Sequence, residues 1–220
     1  MIPRVIHCCW FGGRKTKLVE ECLASWHRFA PGWDIREWGL EDMLALSPPQ
    51  FVKDAVAARK WAFAADWLRF AALHAEGGVY LDMDVELVAP LSVEGEFVAG
   101  ERLPGGRTAI CACALALEKG SAVADAMLAH YGTARFETCR TVGERLEEIF
   151  VKTGSSVRIL PPEVFCPIDV DGRMRRTERT VGIHRCAMSW CGWRRRFARW
   201  LSWHGMRPLV DLALRARRRR

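Results

Sequence analysis

The 220-residue sequence lacks any run of 18 or more apolar residues, so we expect no transmembrane helix. Its N-terminus also lacks the basic and then apolar segments of a secretion signal. No internal repeat is present, and the only low-complexity tract is the terminal arginine run. Together these absences predict a cytoplasmic protein.

The nine cysteines lack the paired CxxC spacing that is typical of a zinc site. The close pairs in the sequence are Cys8-Cys9, Cys111-x-Cys113 and Cys186-x4-Cys191. An odd number of cysteines without such a framework favours buried free thiols in a reducing compartment.

Acidic residues are almost absent from the C-terminal part of the chain. Residues 172–220 contain 15 Lys+Arg and 2 Asp+Glu, a balance of +13. The first 171 residues contain 18 and 24, a balance of −6, and the two sum to the net charge of +7. A basic tail on a mildly acidic body predicts an anionic partner for the tail, either a membrane surface or nucleic acid.

What the chain does contain is typical of a folded domain: half of its residues are hydrophobic and ten are Trp. An apolar run over residues 4–11, closed by Gly12 and Gly13, predicts a buried first strand. A helix over residues 15–29 and a strand over residues 33–38 would complete a β-α-β opening.

The strongest helical signal covers residues 49–76 and ends at Gly77-Gly78, as at a helix C-cap. Further strands are predicted at 79–81, 96–99, 109–117 and 157–160, and further helices at 122–131 and 142–152. The expected organisation is one α/β domain over residues 1–192 and a basic tail over residues 193–220.

The motif Asp82-Met83-Asp84 directly follows the predicted strand 79–81. Two carboxylates at the carboxyl end of a buried strand are costly without a cation, and that strand end is where open α/β sheets bind ligands. Divalent ions such as Mg²⁺ and Mn²⁺ prefer carboxylate oxygens and leave positions open for phosphates. D-x-D alone is also common in solvated turns, but the preceding helix, Gly-Gly stop and strand favour a site for a metal and a diphosphate.

Asp66 and Arg69 lie three residues apart on the long predicted helix, so they share a face and can form an ion pair. The residues around them are almost wholly apolar, which favours a charged pair facing a polar cleft over a simple surface pair. In such a cleft Asp66 can accept sugar hydroxyls, and Arg69 can donate to a sugar or diphosphate. Trp10, at the end of the first strand, can stack on a nucleobase or pack in the core.

The segments IPRVIHCCWFGG, SWx4PGW and AADWLRFAALx3GGVYLDMDVE resemble glycosyltransferase family 32, the DXD sugar transferases. The resemblance implies a GT-A-like fold: a mixed, mainly parallel sheet flanked by helices. It implies a UDP- or GDP-linked sugar donor, a divalent cation (Mn²⁺, with Mg²⁺ as the alternative) and retention of the anomeric configuration.

The same resemblance assigns roles to individual residues. Trp10 would stack on the base, and Asp66 and Arg69 would contact the transferred sugar. Asp82 would contact the ribose or a metal-bound water, and Asp84 would ligate the metal.

The segment from His184 to Trp190 resembles the closing H-x5-W segment of the family. It makes His184 a further metal or diphosphate ligand. Ser189 and Trp190 would close over the β-phosphate and exclude water.

The tail has the spacing of an amphipathic helix. Its apolar face would be formed by Trp193, Phe197, Trp200, Leu201 and His204, with arginines mostly opposite. This pattern predicts a peripheral anchor at the inner membrane face, suited to a lipid-linked acceptor, and a helix packed on its own domain is the alternative.

The leading prediction is a retaining glycosyltransferase of surface-polysaccharide assembly. A nucleotide-sugar hydrolase or a metal-dependent phosphotransferase would use the same carboxylates. A nucleic-acid-binding protein is suggested by the basic tail, but no recognised nucleic-acid module is present, so we expect no nucleic-acid partner. The intact carboxylates and Arg69 argue against an inactive relative.

Overall fold

The computed structural model describes residues 1–169, 171–187, 197 and 200–203. Its strands are β1 (Val5–Cys9), β2 (Asp34–Trp38), β3 (Gly78–Leu81), β4 (Val85–Leu87), β5 (Phe97–Arg102), β6 (Thr108–Leu117), β7 (Arg158–Leu160) and β8 (Gly182–His184). Its helices are α1 (Lys17–Phe29), α2 (Leu40–Ala45), α3 (Gln50–Ala57), α4 (Trp61–Glu76), α5 (Ala122–Thr133), α6 (Val142–Thr153) and α7 (Pro162–Phe165).

The main sheet has six strands in the order β2-β1-β3-β6-β5-β7. Strand β1 pairs in parallel with β2 and β3, and β5 pairs in parallel with β7, whereas β6 is antiparallel to both of its neighbours. This confirms the predicted β-α-β opening and the mixed, mainly parallel sheet. Two apolar cores cover the faces of the sheet: one lies under α3 to α6, and the other under α1 and α7.

The predicted single helix over residues 49–76 is wrong, because α3 and α4 are separate helices. Arg59 has a positive φ of 54°, and the Lys60 N–H bonds the Ala55 carbonyl oxygen at 2.8 Å. These are features of a Schellman-type C-cap, which usually has Gly at the left-handed position. The sequence has Arg there, so it offered no signal for the break.

Gly77 and Gly78 turn the chain from α4 directly into β3. Both have positive φ, and a Cβ atom on Gly77 would lie 2.6 Å from the Lys119 amide nitrogen. Only glycine fits this approach, which fixes the position at which β3 begins, four residues before Asp82.

A second sheet, not predicted from the sequence, pairs β4 with β8 in antiparallel fashion and sets Val85 opposite His184. It brings the C-terminal part of the domain to the end of β3.

The chain after this sheet is described only in part. Residues 197 and 200–203 are helical, and the Trp203 ring lies against Gly172 of the domain. None of the helices in the described part of the chain is long and apolar enough to cross a membrane.

Candidate active site

Asp82 and Asp84 lie in the turn between β3 and β4, where the sequence placed them. The Asp82 amide donates to the Cys113 carbonyl at 2.8 Å, and the Val85 amide donates to the Asp82 carbonyl at 2.9 Å. The Tyr80 hydroxyl donates to Asp82 Oδ1 at 3.1 Å. These bonds orient the first carboxylate at the carboxyl end of the buried strand.

The predicted ion pair between Asp66 and Arg69 is present on α4, and both residues are buried. Arg69 Nη2 is 2.7 Å from Asp66 Oδ1 and 3.5 Å from Asp82 Oδ1. Arg69 Nη1 donates to the Ala112 carbonyl at 2.5 Å, and the guanidinium lies 4.6 Å from the centre of the Tyr80 ring. The helix and the strand end therefore share one guanidinium, which holds the two carboxylates together.

His184, at the end of β8, is the third polar group near the Asp pair. Its Nε2 lies 3.4 Å from Asp84 Oδ1. The Ala187 amide donates to Asp84 Oδ2 at 2.7 Å, and the Arg185 amide donates to the Asp84 carbonyl at 2.9 Å. The strand pairing of β4 with β8 thus brings the predicted histidine to the DXD motif.

The pKa values of the three carboxylates shift in different directions. Burial raises the pKa of Asp66 to about 6, although the Arg69 guanidinium opposes the rise. Burial also raises the pKa of Asp82, again against Arg69. For Asp84 burial alone would raise the pKa, but the hydrogen bond and charge of His184 outweigh it and the pKa is lowered. When all three are ionised, their negative charge exceeds the positive charges of Arg69 and a protonated His184 together.

This excess of negative charge suits a divalent cation. Asp82, Asp84 and His184 each offer one ligand atom, and these atoms lie within 4.8 Å of one another. The two carboxylates supply the oxygen ligands that Mn²⁺ and Mg²⁺ prefer, and a set of at most three protein ligands leaves positions open for phosphate oxygens. The residues therefore fit a cation that is shared with a diphosphate.

The remaining predicted residues are less constrained by the structure. Trp10 follows β1, is partly buried, and donates from Nε1 to the Gly13 carbonyl at 2.9 Å. Its stacking on a base stays a prediction. Ser189 and Trp190 lie outside the described residues.

Sequence reasoning missed the Tyr80 hydroxyl and the Ala112 carbonyl, which hold Asp82 and Arg69 in place. The alternating burial of strands was the only available signal, and it cannot identify a partner on another strand. Sequence reasoning also missed a group of three cysteine thiols, which approaches His184 from the side of its ring opposite Asp84.

Comparison with known proteins gives these residues a context. Residues 16–102 match the family model described as "Glycosyltransferase sugar-binding region containing DXD motif". This stretch contains Asp66, Arg69, Asp82 and Asp84. No curated protein matches the chain in sequence.

Two solved structures resemble the fold. The one titled "PaToxG Glycosyltransferase" is 17% identical, with a TM-score of 0.53 over 70% of each chain. A glycosyltransferase involved in the glycosylation of the major capsid of PBCV-1 is 14% identical, with a TM-score of 0.50 over 83% of this chain and 94% of its own. The GT-A-like fold is thereby confirmed.

The family resemblance drawn from the sequence is confirmed as well, because residues 16–102 match the DXD-containing sugar-binding region of glycosyltransferases.

Proposed function

We propose that this chain transfers a sugar from a UDP- or GDP-linked donor, with a divalent cation, to a saccharide or lipid-linked acceptor. The observation that carries the proposal is the convergence of Asp82, Asp84 and His184 beside the buried pair of Asp66 and Arg69. A carboxylate-rich site next to a buried guanidinium is suited to a metal-bound diphosphate and its sugar.

Asp84 is the direct cation ligand in this proposal, and Asp82 ligates it or holds one of its waters. When bound, Mn²⁺ or Mg²⁺ would neutralise the charge that develops on the departing diphosphate. His184 acts through Nε2 in one of two ways, which depend on the position of its proton. Unprotonated Nε2 is a third ligand, whereas protonated Nε2 donates to Asp84.

Arg69 and Asp66 position the donor sugar. The guanidinium donates through Nη2 to Asp66 and through Nη1 to the Ala112 carbonyl, and these two hydrogen bonds fix its plane. Asp66 keeps one carboxylate oxygen that these bonds do not use, and this oxygen can accept from a sugar hydroxyl. Trp10 stacks on the base.

The sugar moves with retention of configuration, a proposal that rests on the family resemblance, and we assign no nucleophile. We further propose that the reaction belongs to surface-polysaccharide assembly in the cytoplasm. The +13 charge of residues 172–220 supports contact with an anionic membrane surface, where a lipid-linked acceptor would be found.

A thermal-shift screen of UDP- and GDP-sugars, with and without Mn²⁺, tests donor binding. A ligand that binds only the folded protein raises its melting temperature, so we expect a shift that needs both nucleotide sugar and cation. The shift should vanish in Asp84→Asn and persist in Asp125→Asn, a control at an exposed helical carboxylate. Failure of every nucleotide sugar to stabilise the wild type would contradict the proposal.

Product analysis then separates transfer from hydrolysis. Incubation of the stabilising donor with candidate saccharides should give a glycosylated product, whose anomeric proton coupling reports retention. Release of free sugar alone would favour the hydrolase, and an inverted product would refute retention.

A further inference from the structure

Three cysteine thiols converge on the side of His184 that faces away from Asp84. Cys111 and Cys113 lie two apart on β6, so both point to the same face of the sheet. Cys166 follows α7 and meets them there, with Cys113 Sγ and Cys166 Sγ 3.5 Å apart. Cys111 Sγ lies 3.8 Å from His184 Nδ1. The four ligand atoms lie within 4.8 Å of one another.

We call Cys111, Cys113, Cys166 and His184 the thiol cluster. All three cysteines are free and buried, each with at most 9% of its surface exposed. Cys22 is equally buried, but within the described part of the chain it belongs to no group of three side chains that could hold a metal ion. Burial alone therefore does not account for the convergence.

Regular elements hold the thiol cluster in place. Cys113 lies within the longest strand of the sheet, and the Cys166 amide caps α7 by donating to the Pro162 carbonyl at 2.7 Å. The Phe165 ring next to it stacks on Phe97 of β5, with ring centres 5.7 Å apart. Donor atoms on rigid strands and a packed helix end are typical of a preorganised site.

Two distances in the thiol cluster are close to those expected around a tetrahedral ion. With Zn–S bonds of about 2.3 Å and Zn–N bonds of about 2.05 Å, tetrahedral geometry separates two sulfurs by about 3.8 Å and a sulfur from a nitrogen by about 3.6 Å. The observed 3.5 Å between two sulfurs and 3.8 Å between sulfur and nitrogen fall close to these values. Thiolates and imidazole are also the donors that Zn²⁺ selects over Mn²⁺ and Mg²⁺.

We infer that the thiol cluster binds a structural Zn²⁺ ion, with Cys111, Cys113, Cys166 and His184 Nδ1 as its four ligands. Four protein ligands close the coordination sphere, so this ion has no open position for substrate. The inference goes beyond the proposed function, because the two sites share only His184 and the zinc site does not require a sugar donor.

Zinc bound to Nδ1 of His184 would keep the ring proton on Nε2. A metal-bound histidine keeps its proton on the remaining nitrogen and commonly donates it to a carboxylate. Here that nitrogen is Nε2, 3.4 Å from Asp84 Oδ1. His184 would then be a positioning residue that orients Asp84, instead of a third ligand to the donor-bound cation.

Metal analysis of the full chain tests this inference. The protein is purified without a polyhistidine tag or chelator, under reducing conditions, and zinc is measured by mass spectrometry before and after addition of Zn²⁺ and dialysis. We expect about one zinc ion per chain, with X-ray absorption showing three sulfur neighbours and one nitrogen. Cys113→Ala and Cys166→Ala should lose the ion, and the buried control Cys22→Ala should keep it.

Several results would overturn the inference. One is a wild type that holds no zinc even after Zn²⁺ addition, as expected of three neutral thiols. Another is a thiol titration of the denatured protein that finds a disulfide between Cys113 and Cys166. A third is zinc that survives Cys113→Ala but is lost in Cys186→Ser, whose thiol also approaches His184 Nδ1, at 3.6 Å.

Asp84→Asn separates this inference from the proposed function. Zinc should remain in this variant while stabilisation by donor and Mn²⁺ disappears. If zinc is lost in Asp84→Asn and kept in Cys113→Ala, the ion lies at the carboxylates and the inference fails, although the donor site stands. If zinc remains but no donor binds the wild type, the proposed function fails alone.

Discussion

The two sides of the His184 ring differ in donor atoms and in exposure. On the Nε2 side lie the carboxylates of Asp82 and Asp84, whose side chains are 29% and 16% exposed. On the Nδ1 side lie thiols such as that of Cys113, which is 1% exposed. One imidazole thus separates an open oxygen-rich site from a closed sulfur-rich one.

Under the two proposals above, one fold would keep two kinds of ion apart. An ion that arrives with a donor needs hard oxygen ligands and free coordination positions. An ion that supports the fold needs soft ligands and a closed shell. The predictions below test whether the oxygen side acts in function and the sulfur side in structure.

The largest effect is expected at the buried ion pair of Asp66 and Arg69, which lies beside the carboxylates. Arg69→Met leaves Asp66 without its partner, and breaking a buried pair in this way costs about 3–5 kcal/mol. We expect the free energy of unfolding, measured by denaturant titration, to fall by that amount. Arg158→Met, at an exposed arginine, serves as the control. A loss below about 1 kcal/mol, as for a surface pair, would contradict the buried pair.

The second prediction concerns the rate of sugar transfer. Asp84→Asn should lower kcat about 10²–10³-fold, the usual cost of losing one electrostatic contact to a developing charge. Circular dichroism and melting temperature should stay near those of the wild type, because Asp84 is partly exposed. An unchanged kcat together with a large fall in melting temperature would instead assign Asp84 a structural role.

A smaller effect is expected at Trp10. Aromatic stacking contributes about 0.5–1.5 kcal/mol beyond area burial, so Trp10→Ala should weaken nucleotide affinity by up to about tenfold. Trp10→Phe keeps an aromatic face and should retain most of the affinity. Calorimetry with the free nucleoside diphosphate measures both. Equal affinity in all three proteins would assign Trp10 to the core alone.

The smallest effect on donor affinity, about twofold at the pKa of Asp66, is expected from pH. Asp66 has a pKa of about 6, raised by burial, so it is ionised above that pH and protonated below it. Donor affinity should fall as pH decreases through 6, with about half of Asp66 protonated at the pKa. The sign for stability is opposite, because a raised folded-state pKa adds stability that is lost as pH rises from the unfolded value towards about 6.

Asp66→Asn tests both trends at once, since it should remove the pH dependence of affinity and of unfolding in this range. If the variant keeps both slopes, another group is responsible for them.

Local signals in the sequence predicted much of the site. The Gly-Gly stop and the apolar strand placed Asp82 and Asp84 at a strand end, and helical spacing paired Asp66 with Arg69. These predictions depend only on neighbouring residues, whose geometry follows from the element that contains them.

Long-range features could not be predicted in the same way. The thiol cluster brings Cys113 together with Cys166, 53 residues later in the chain, and the sequence has no CxxC spacing that would predict this contact. The break between α3 and α4 was hidden because Arg59 takes a conformation that usually belongs to glycine. The approach of His184 to Asp84 was expected only from the family resemblance, and it depends on the pairing of β4 with β8.

That pairing has a consequence for the order in which the protein matures. The Ala187 amide that bonds Asp84 comes 103 residues later in the chain. Residues 16–102, which include Asp66, Arg69, Asp82 and Asp84, therefore leave the ribosome before β8 does. Because such distant contacts form late, a nascent chain would carry its carboxylates without the strand that orients them. We expect competence to bind the donor to arise as one of the last events of folding.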